Sequence, residues 1–195
     1  NMNFLFHICD AFNRTSMRLQ DKYLGNKYAQ KLGQTFWMKH ERVFLGSSTI
    51  RRIPAHYMRP SDLNLGMDSI CTHHMMRNMY PGHYDTLVLY IGANDLFLSD
   101  SNIKIASNIV NILNSYTSNQ TPTQNLVYIP IIMSTYQLLT QKMERIRHIN
   151  AFVSSRAPPS VKIVDLPVFA SDDFVLDQLH LSETGYEKLM KTINQ

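Results

Sequence analysis

Cysteine is nearly absent from this chain: of 195 residues only Cys9 and Cys71 carry a thiol. Two cysteines make no disulfide framework and show no zinc-ligand spacing, and they fit a reducing compartment. Long hydrophobic runs are missing as well. The longest apolar stretch, Leu126 to Met133, falls far short of the ~20 residues that span a bilayer. Residues 3–9 (NFLFHIC) are apolar but short, without a basic start or a small-residue cleavage site, so they do not read as a complete signal peptide. A complete chain of this kind is expected in the cytoplasm; one that had lost an export signal belongs in the periplasm or outside the cell. No basic cluster is interleaved with aromatics, which argues against nucleic acid as a partner. The net charge of +4 is mild and favours anionic partners only weakly. There is no internal repeat and no low-complexity segment.

The residues that are present suit one domain with a sizeable core. The chain is 44% apolar and 17% charged, ordinary values for a globular protein. A single domain over 1–195 is expected, with residues 1–40 as a helical N-terminal extension packed on it. Within that extension Leu24, Tyr28, Leu32 and Phe36 recur at helical spacing, and Trp37 with Phe36 is expected to cap the core. Five short apolar runs come next, at Arg42–Gly46, Asp62–Gly66, Asp85–Gly92, Asn125–Ile132 and Val161–Leu166. Helical stripes lie between them: Ile103, Ala106, Val110 and Leu113; then Leu139, Met143, Ile146 and Val153; and, more weakly, residues 69–79. Tyr186, Leu189, Met190 and Ile193 close the chain, with Ser182 as N-cap and Glu183 near the positive end of that helix.

Strands that alternate with helices indicate a parallel sheet covered on both faces. The expected fold is therefore α/β: a three-layer α/β/α sandwich around a five-stranded, flavodoxin-like parallel sheet. Such sheets bind ligands beyond the carboxyl ends of their strands, so the residues just after each run are the candidates for chemistry. After Gly46 come Ser47 and Ser48, where a hydroxyl can stand at the sheet edge. After the third run comes Gly92-Ala93-Asn94-Asp95, where an amide can donate to an oxyanion. Beyond the fifth run Asp177 and His180 are three residues apart, a spacing that lets a carboxylate fix an imidazole tautomer across one turn. Each element alone is commonplace, since serine caps helices and Asn and Asp form turns. Together they supply nucleophile, donor, orienter and base along one edge.

The stretches FLGSSTIRR, LNLG, YIGAND and DQLHLSETGY resemble the four blocks of the SGNH (GDSL-like) hydrolases, in order, from about residue 43 to the end. The first block is a GSS-type variant in which Ser47 takes the place of the usual aspartate. The resemblance implies that Ser48 is the nucleophile, His180 the general base and Asp177 its orienting acid. It also implies an oxyanion hole formed by the N–H groups of Ser48 and Gly66 and the side chain of Asn94. The activity it implies is hydrolysis of carboxylic esters, with short acyl or O-acetyl groups on a small molecule or carbohydrate, through an acyl-serine intermediate. No cofactor or metal is expected. O-acyl transfer by the same residues and a non-catalytic binding module on the same fold are the rival readings. Acyl-chain length, alcohol part and oligomeric state are not legible.

Other residues have plainer readings. His73 and His74 are adjacent, and neighbours on a helix point in different directions, so solvated or packing roles are expected. His56, His83 and His148 lack partners at metal-ligand spacing. Asp165, Asp172 and Asp173 compete with Asp177 as orienter, and the three-residue spacing favours Asp177. Phe97, Tyr136, Phe169 and Phe174 fall near the same edge, where each could line an acyl pocket or simply pack. Arg51 and Arg52 are expected on a solvated face.

Overall fold

Alternate side chains of a strand face opposite sides of a sheet, and in this chain both sides are apolar. The computed structural model describes residues 30–31, 39–79, 82–118 and 125–195. Its strands are β1 (Lys39–Gly46), β2 (Asp62–Gly66), β3 (His83–Tyr90), β4 (Asn125–Tyr128) and β5 (Val161–Ile163). They form one five-stranded sheet in the order β2-β1-β3-β4-β5, with every pairing parallel. This is the flavodoxin-like order, and the strand order reverses between β1 and β3. The helices are α1 (Ser48–Arg51), α2 (Thr72–Arg77), α3 (Asn102–Thr117), α4 (Thr135–Leu139), α5 (Met143–Arg156) and α6 (Glu183–Ile193).

The alternation produces two core layers. Val43, Leu45, Leu87 and Leu89 pack with Ile105, Ile109 and Ile112 of α3 and Ile146 and Ile149 of α5. Phe44, Val88, Tyr90 and Val127 pack on the other face with Tyr186, Leu189 and Met190 of α6. Each such aliphatic side chain taken from water contributes about 1.5–3 kcal/mol, so the three layers hold together through the sheet.

Some boundaries differ from the sequence reading. β4 and β5 stop earlier than their apolar runs. Ile129 N–H still donates to Leu89 O at 2.9 Å, but Pro130 has no N–H to continue the ladder. The buried face of α3 is Ile105, Ala106, Ile109, Ile112, Leu113 and Tyr116. Ile103, counted in the expected stripe, is 68% exposed in the first turn. Leu139 belongs to α4, and a break precedes α5. The N-cap at Ser182 is present, its hydroxyl accepting Gly185 N–H at 3.4 Å. Cys9, the stripe Leu24–Phe36 and the Phe36–Trp37 cap lie outside the described residues. Among the described residues no helix is long and apolar enough to cross a membrane.

Candidate active site

The turn that carries Ser48 is set by Gly46, whose φ of 153° lies where only glycine is at ease. A Cβ there would stand 2.0 Å from Tyr90 O. Ser47 N–H then donates to Tyr90 O at 3.2 Å, and Ser47 O accepts Ile50 N–H and Arg51 N–H at 3.0 and 3.1 Å. Ser47 is thereby fixed and buried at 2% exposure, while Ser48, the first residue of α1, is partly exposed. Tyr186 O–H donates to Thr49 O at 2.8 Å and ties α1 to α6. With four residues, α1 offers local N–H groups rather than the dipole of a long helix.

The loop that carries the imidazole is built as carefully. Phe174 and Leu181 form an antiparallel bridge at its base. Asp173 anchors the same base: its carboxylate accepts Lys188 Nζ at 2.6 Å and Ala170 N–H at 2.7 Å, and its carbonyl accepts Ser182 N–H at 2.8 Å. Within the loop Asp177 Oδ1 accepts the N–H groups of Leu179 and His180, both at 2.9 Å. Gln178, between Asp177 and Leu179, takes a φ of 57°, and Val175 N–H closes the loop on His180 O at 2.9 Å.

These two turns meet. His180 Nε2 is 3.0 Å from Ser48 Oγ, and His180 Nδ1 is 2.5 Å from Asp177 Oδ2. Partial burial pushes the Asp177 carboxyl up, but the His180 ring and the two backbone N–H groups outweigh it and hold the group at about 2. Asp177 therefore stays ionised beside the imidazole at any ordinary pH. Asp172 and Asp173 lie at the base of the loop instead, engaged with Ser182 and Lys188.

Asn94 opens a short 3₁₀ turn after β3, and its Nδ2 donates to Ile70 O at 2.8 Å. An amide nitrogen carries two hydrogens, so this bond orients the group and uses one of them. The next residue, Asp95, is fully buried. It accepts Thr72 N–H at 3.1 Å and Thr72 O–H at 2.6 Å. Burial raises its carboxyl to about 6. Asn94 and Asp95 together thus fasten residues 70 and 72 beside the site.

Gly66 stands differently from the sequence expectation. Its N–H donates to Asn64 Oδ1 at 2.9 Å, and it does not line the pocket at Ser48. Its need for glycine comes from α1: a Cβ at Gly66 would stand 2.1 Å from Arg51 N. Gly66 is therefore a close-approach glycine whose N–H is engaged by Asn64 rather than turned to the pocket.

The pocket encloses about 20 Å³, the room of roughly one water molecule. Ser48, Asn94 and His180 line it with Phe97, Gln137 and Leu179. Phe97 is backed by Tyr136 with ring centres 5.9 Å apart, whereas Phe169 and Phe174 meet at a tilt in the α6 layer. Gln137 and Leu179 escaped the sequence reading. Leu179 was legible as the residue before His180, but Gln137 arrives from α4 and nothing in its local sequence marks it. Arg51 pairs with Asp68 at the surface.

No protein-family model matches the chain. No curated protein matches it either. Solved structures do. A Streptococcus pneumonia protein described as a platelet activating factor is similar at a TM-score of 0.72 and 19% identity, over 96% of this chain and 97% of that one. A lipase/acylhydrolase from Enterococcus faecalis is similar at 0.61 and 18%, over 79% and 93%. A lipolytic protein of the G-D-S-L family from Veillonella parvula is similar at 0.56 and 15%, over 80% and 96%. The fold is that of the SGNH (GDSL-like) hydrolases.

Proposed function

We propose that the chain is a serine esterase that cleaves small acyl esters through Ser48. One observation carries the reading: a continuous hydrogen-bonded path from Asp177 through His180 to Ser48, with links of 2.5 and 3.0 Å. A neutral imidazole oriented by a carboxylate accepts the serine proton as its oxygen attacks the ester carbonyl. The tetrahedral oxyanion is held by Ser48 N–H and the Asn94 amide. The imidazolium then protonates the leaving alcohol. Water, deprotonated by the same His180, attacks the acyl-serine, and the carboxylic acid leaves with Ser48 restored. No step calls for a cofactor. The lipase/acylhydrolase among the similar structures supports ester chemistry, and Phe97 and Leu179 beside Ser48 offer apolar surface to a short acyl group.

The test is a series of p-nitrophenyl esters of rising acyl length together with acetylated sugars, with Ser48→Ala as control. Turnover that is highest for acetyl and lost in Ser48→Ala supports the reading. Absence of turnover on every ester, with a fluorophosphonate probe also failing to label the protein, would leave a non-catalytic module on this fold. Transfer of the acyl group to an added alcohol in preference to water would make the chain an acyltransferase.

A further inference from the structure

Cys71, His73 and His74 occupy the N-cap, second and third positions of α2, and their side chains meet although adjacent helical positions diverge. The N-cap makes the difference. Cys71 is extended, with φ −113° and ψ 166°, so its side chain turns back over the first turn rather than following the helix. One ligand atom from each of the three residues lies within 4.8 Å of the other two. Cys71 and His74 are buried at 1% and 2% exposure, and His73 is half-buried with its ring centre 4.0 Å from that of His74. The lone pair of His74 Nδ1 faces inward, accepting Cys71 N–H at 3.1 Å, and Cys71 Sγ donates to Ser69 O at 3.6 Å.

The buried carboxyl of Asp95 lies behind the cluster, accepting the N–H and O–H of Thr72, the residue between Cys71 and His73.

We propose that Cys71, His73 and His74 form a binding site for one Zn²⁺ ion, with water as the fourth ligand. A thiolate and two imidazoles select zinc over magnesium or calcium, which prefer oxygen. Zn–S of about 2.3 Å and Zn–N of about 2.0–2.1 Å place tetrahedral ligand atoms roughly 3.5 Å apart. Ligand atoms that lie within 4.8 Å of one another therefore close by up to about 1.3 Å, which the half-buried His73 ring and the His74 ring achieve by turning. On binding, the Cys71 thiol releases its proton to solvent and exchanges the bond to Ser69 O for a bond to zinc. His74 turns its Nδ1 lone pair from Cys71 N–H to the ion. The site does not depend on the esterase reading.

The experiment titrates metal-free protein with zinc chloride against a chromogenic chelator and repeats the titration with cobalt(II), whose thiolate complex absorbs in the near ultraviolet. The expected result is one equivalent bound per chain at on the order of micromolar affinity or tighter, with a cobalt–thiolate band. Cys71→Ser removes the band, and His73→Gln weakens binding by more than about 100-fold. His148→Gln, at an exposed histidine beside Glu144, leaves binding unchanged. Because His73 is half-buried, its glutamine variant folds even where Cys71→Ser does not, and circular dichroism checks this. Less than one equivalent bound, or binding equal to wild type in His73→Gln, overturns the proposal.

Discussion

His180 Nε2 lies 3.0 Å from Ser48 Oγ across 132 positions of sequence. Nothing local brings them together. β1 and the loop after β5 end on the same edge of a parallel sheet, and α6 reaches across to hold α1 through Tyr186. The relationship distinguishes two adjacent serines. Ser47 is buried and spends its backbone on the turn, whereas Ser48 faces the imidazole. Ser48→Ala is expected to abolish fluorophosphonate labelling and to lower hydrolysis by on the order of 10⁴-fold or more. Ser47→Ala keeps labelling and stays within about tenfold of wild type. The reverse pattern would assign the chemistry to Ser47 and overturn the assignment to Ser48.

Asp177 holds both its own loop and the imidazole. Asparagine at 177 keeps an oxygen for the two N–H groups, so Asp177→Asn is expected to fold. It loses the carboxylate that fixes the tautomer and stabilises the imidazolium, and turnover at neutral pH falls by about 10⁴-fold. The stability effect has a definite sign. Because the folded-state value, about 2, lies below the ordinary 3.8, the carboxylate stabilises the fold above that ordinary value. This contribution disappears as pH falls toward 2. The gap in Tm between wild type and Asp177→Asn therefore closes between pH 5 and pH 2 in thermal melts. A gap that widens with acid contradicts the assignment.

The fold and most of the geometry of the candidate site were legible because they rest on signals that survive in one dimension. Apolar runs alternating with helical stripes determine the layers, and DQLHLSETGY carries Asp177, His180 and the cap at Ser182 in one stretch. The features that escaped depend on close approach in space. Gly66 reads as one more strand-end glycine, yet its N–H belongs to Asn64 and its missing Cβ makes room for α1. Gln137 lines the pocket from a helix whose own sequence has no catalytic pattern. Cys71 meets His73 and His74 only because an N-cap residue leaves the helical path. Spacing alone puts Ile103 in the core, whereas the buried face begins two residues later at Ile105.

Asp95 has the opposite sign from Asp177. Burial lifts its carboxyl from 3.8 to about 6 against the hydrogen bonds from Thr72. A folded-state value above the unfolded one means that the neutral acid is the favoured form. Its stabilising contribution is complete below pH 3.8 and is lost as pH rises through about 6. The difference between 3.8 and about 6 corresponds to at most roughly 3 kcal/mol. Asp95→Asn removes this titration. Chemical denaturation from pH 4 to pH 7 should show wild type losing stability relative to the variant, with the change centred between those two values. Parallel curves for the two proteins would mean that Asp95 does not titrate in this range.

Gly66 and Asn94 can be separated by the damage each substitution does. Gly66→Ala keeps the backbone N–H but places a methyl 2.1 Å from Arg51 N, in a region where backbone rather than a flexible side chain must move. Overpacking of this kind costs about 1–3 kcal/mol, so a lower midpoint in denaturant is expected. Asn94→Ala removes an amide that lines the pocket and is oriented by Ile70. If Asn94 is the proposed oxyanion donor, its loss is expected to lower kcat by about 100–1,000-fold with little change in KM, because the bond would form with the tetrahedral oxygen rather than the ground-state ester. Steady-state kinetics and a denaturant titration on both variants distinguish the cases. A Gly66→Ala protein as stable as wild type would refute the steric role, and an Asn94→Ala protein whose defect lies wholly in KM would refute the oxyanion role.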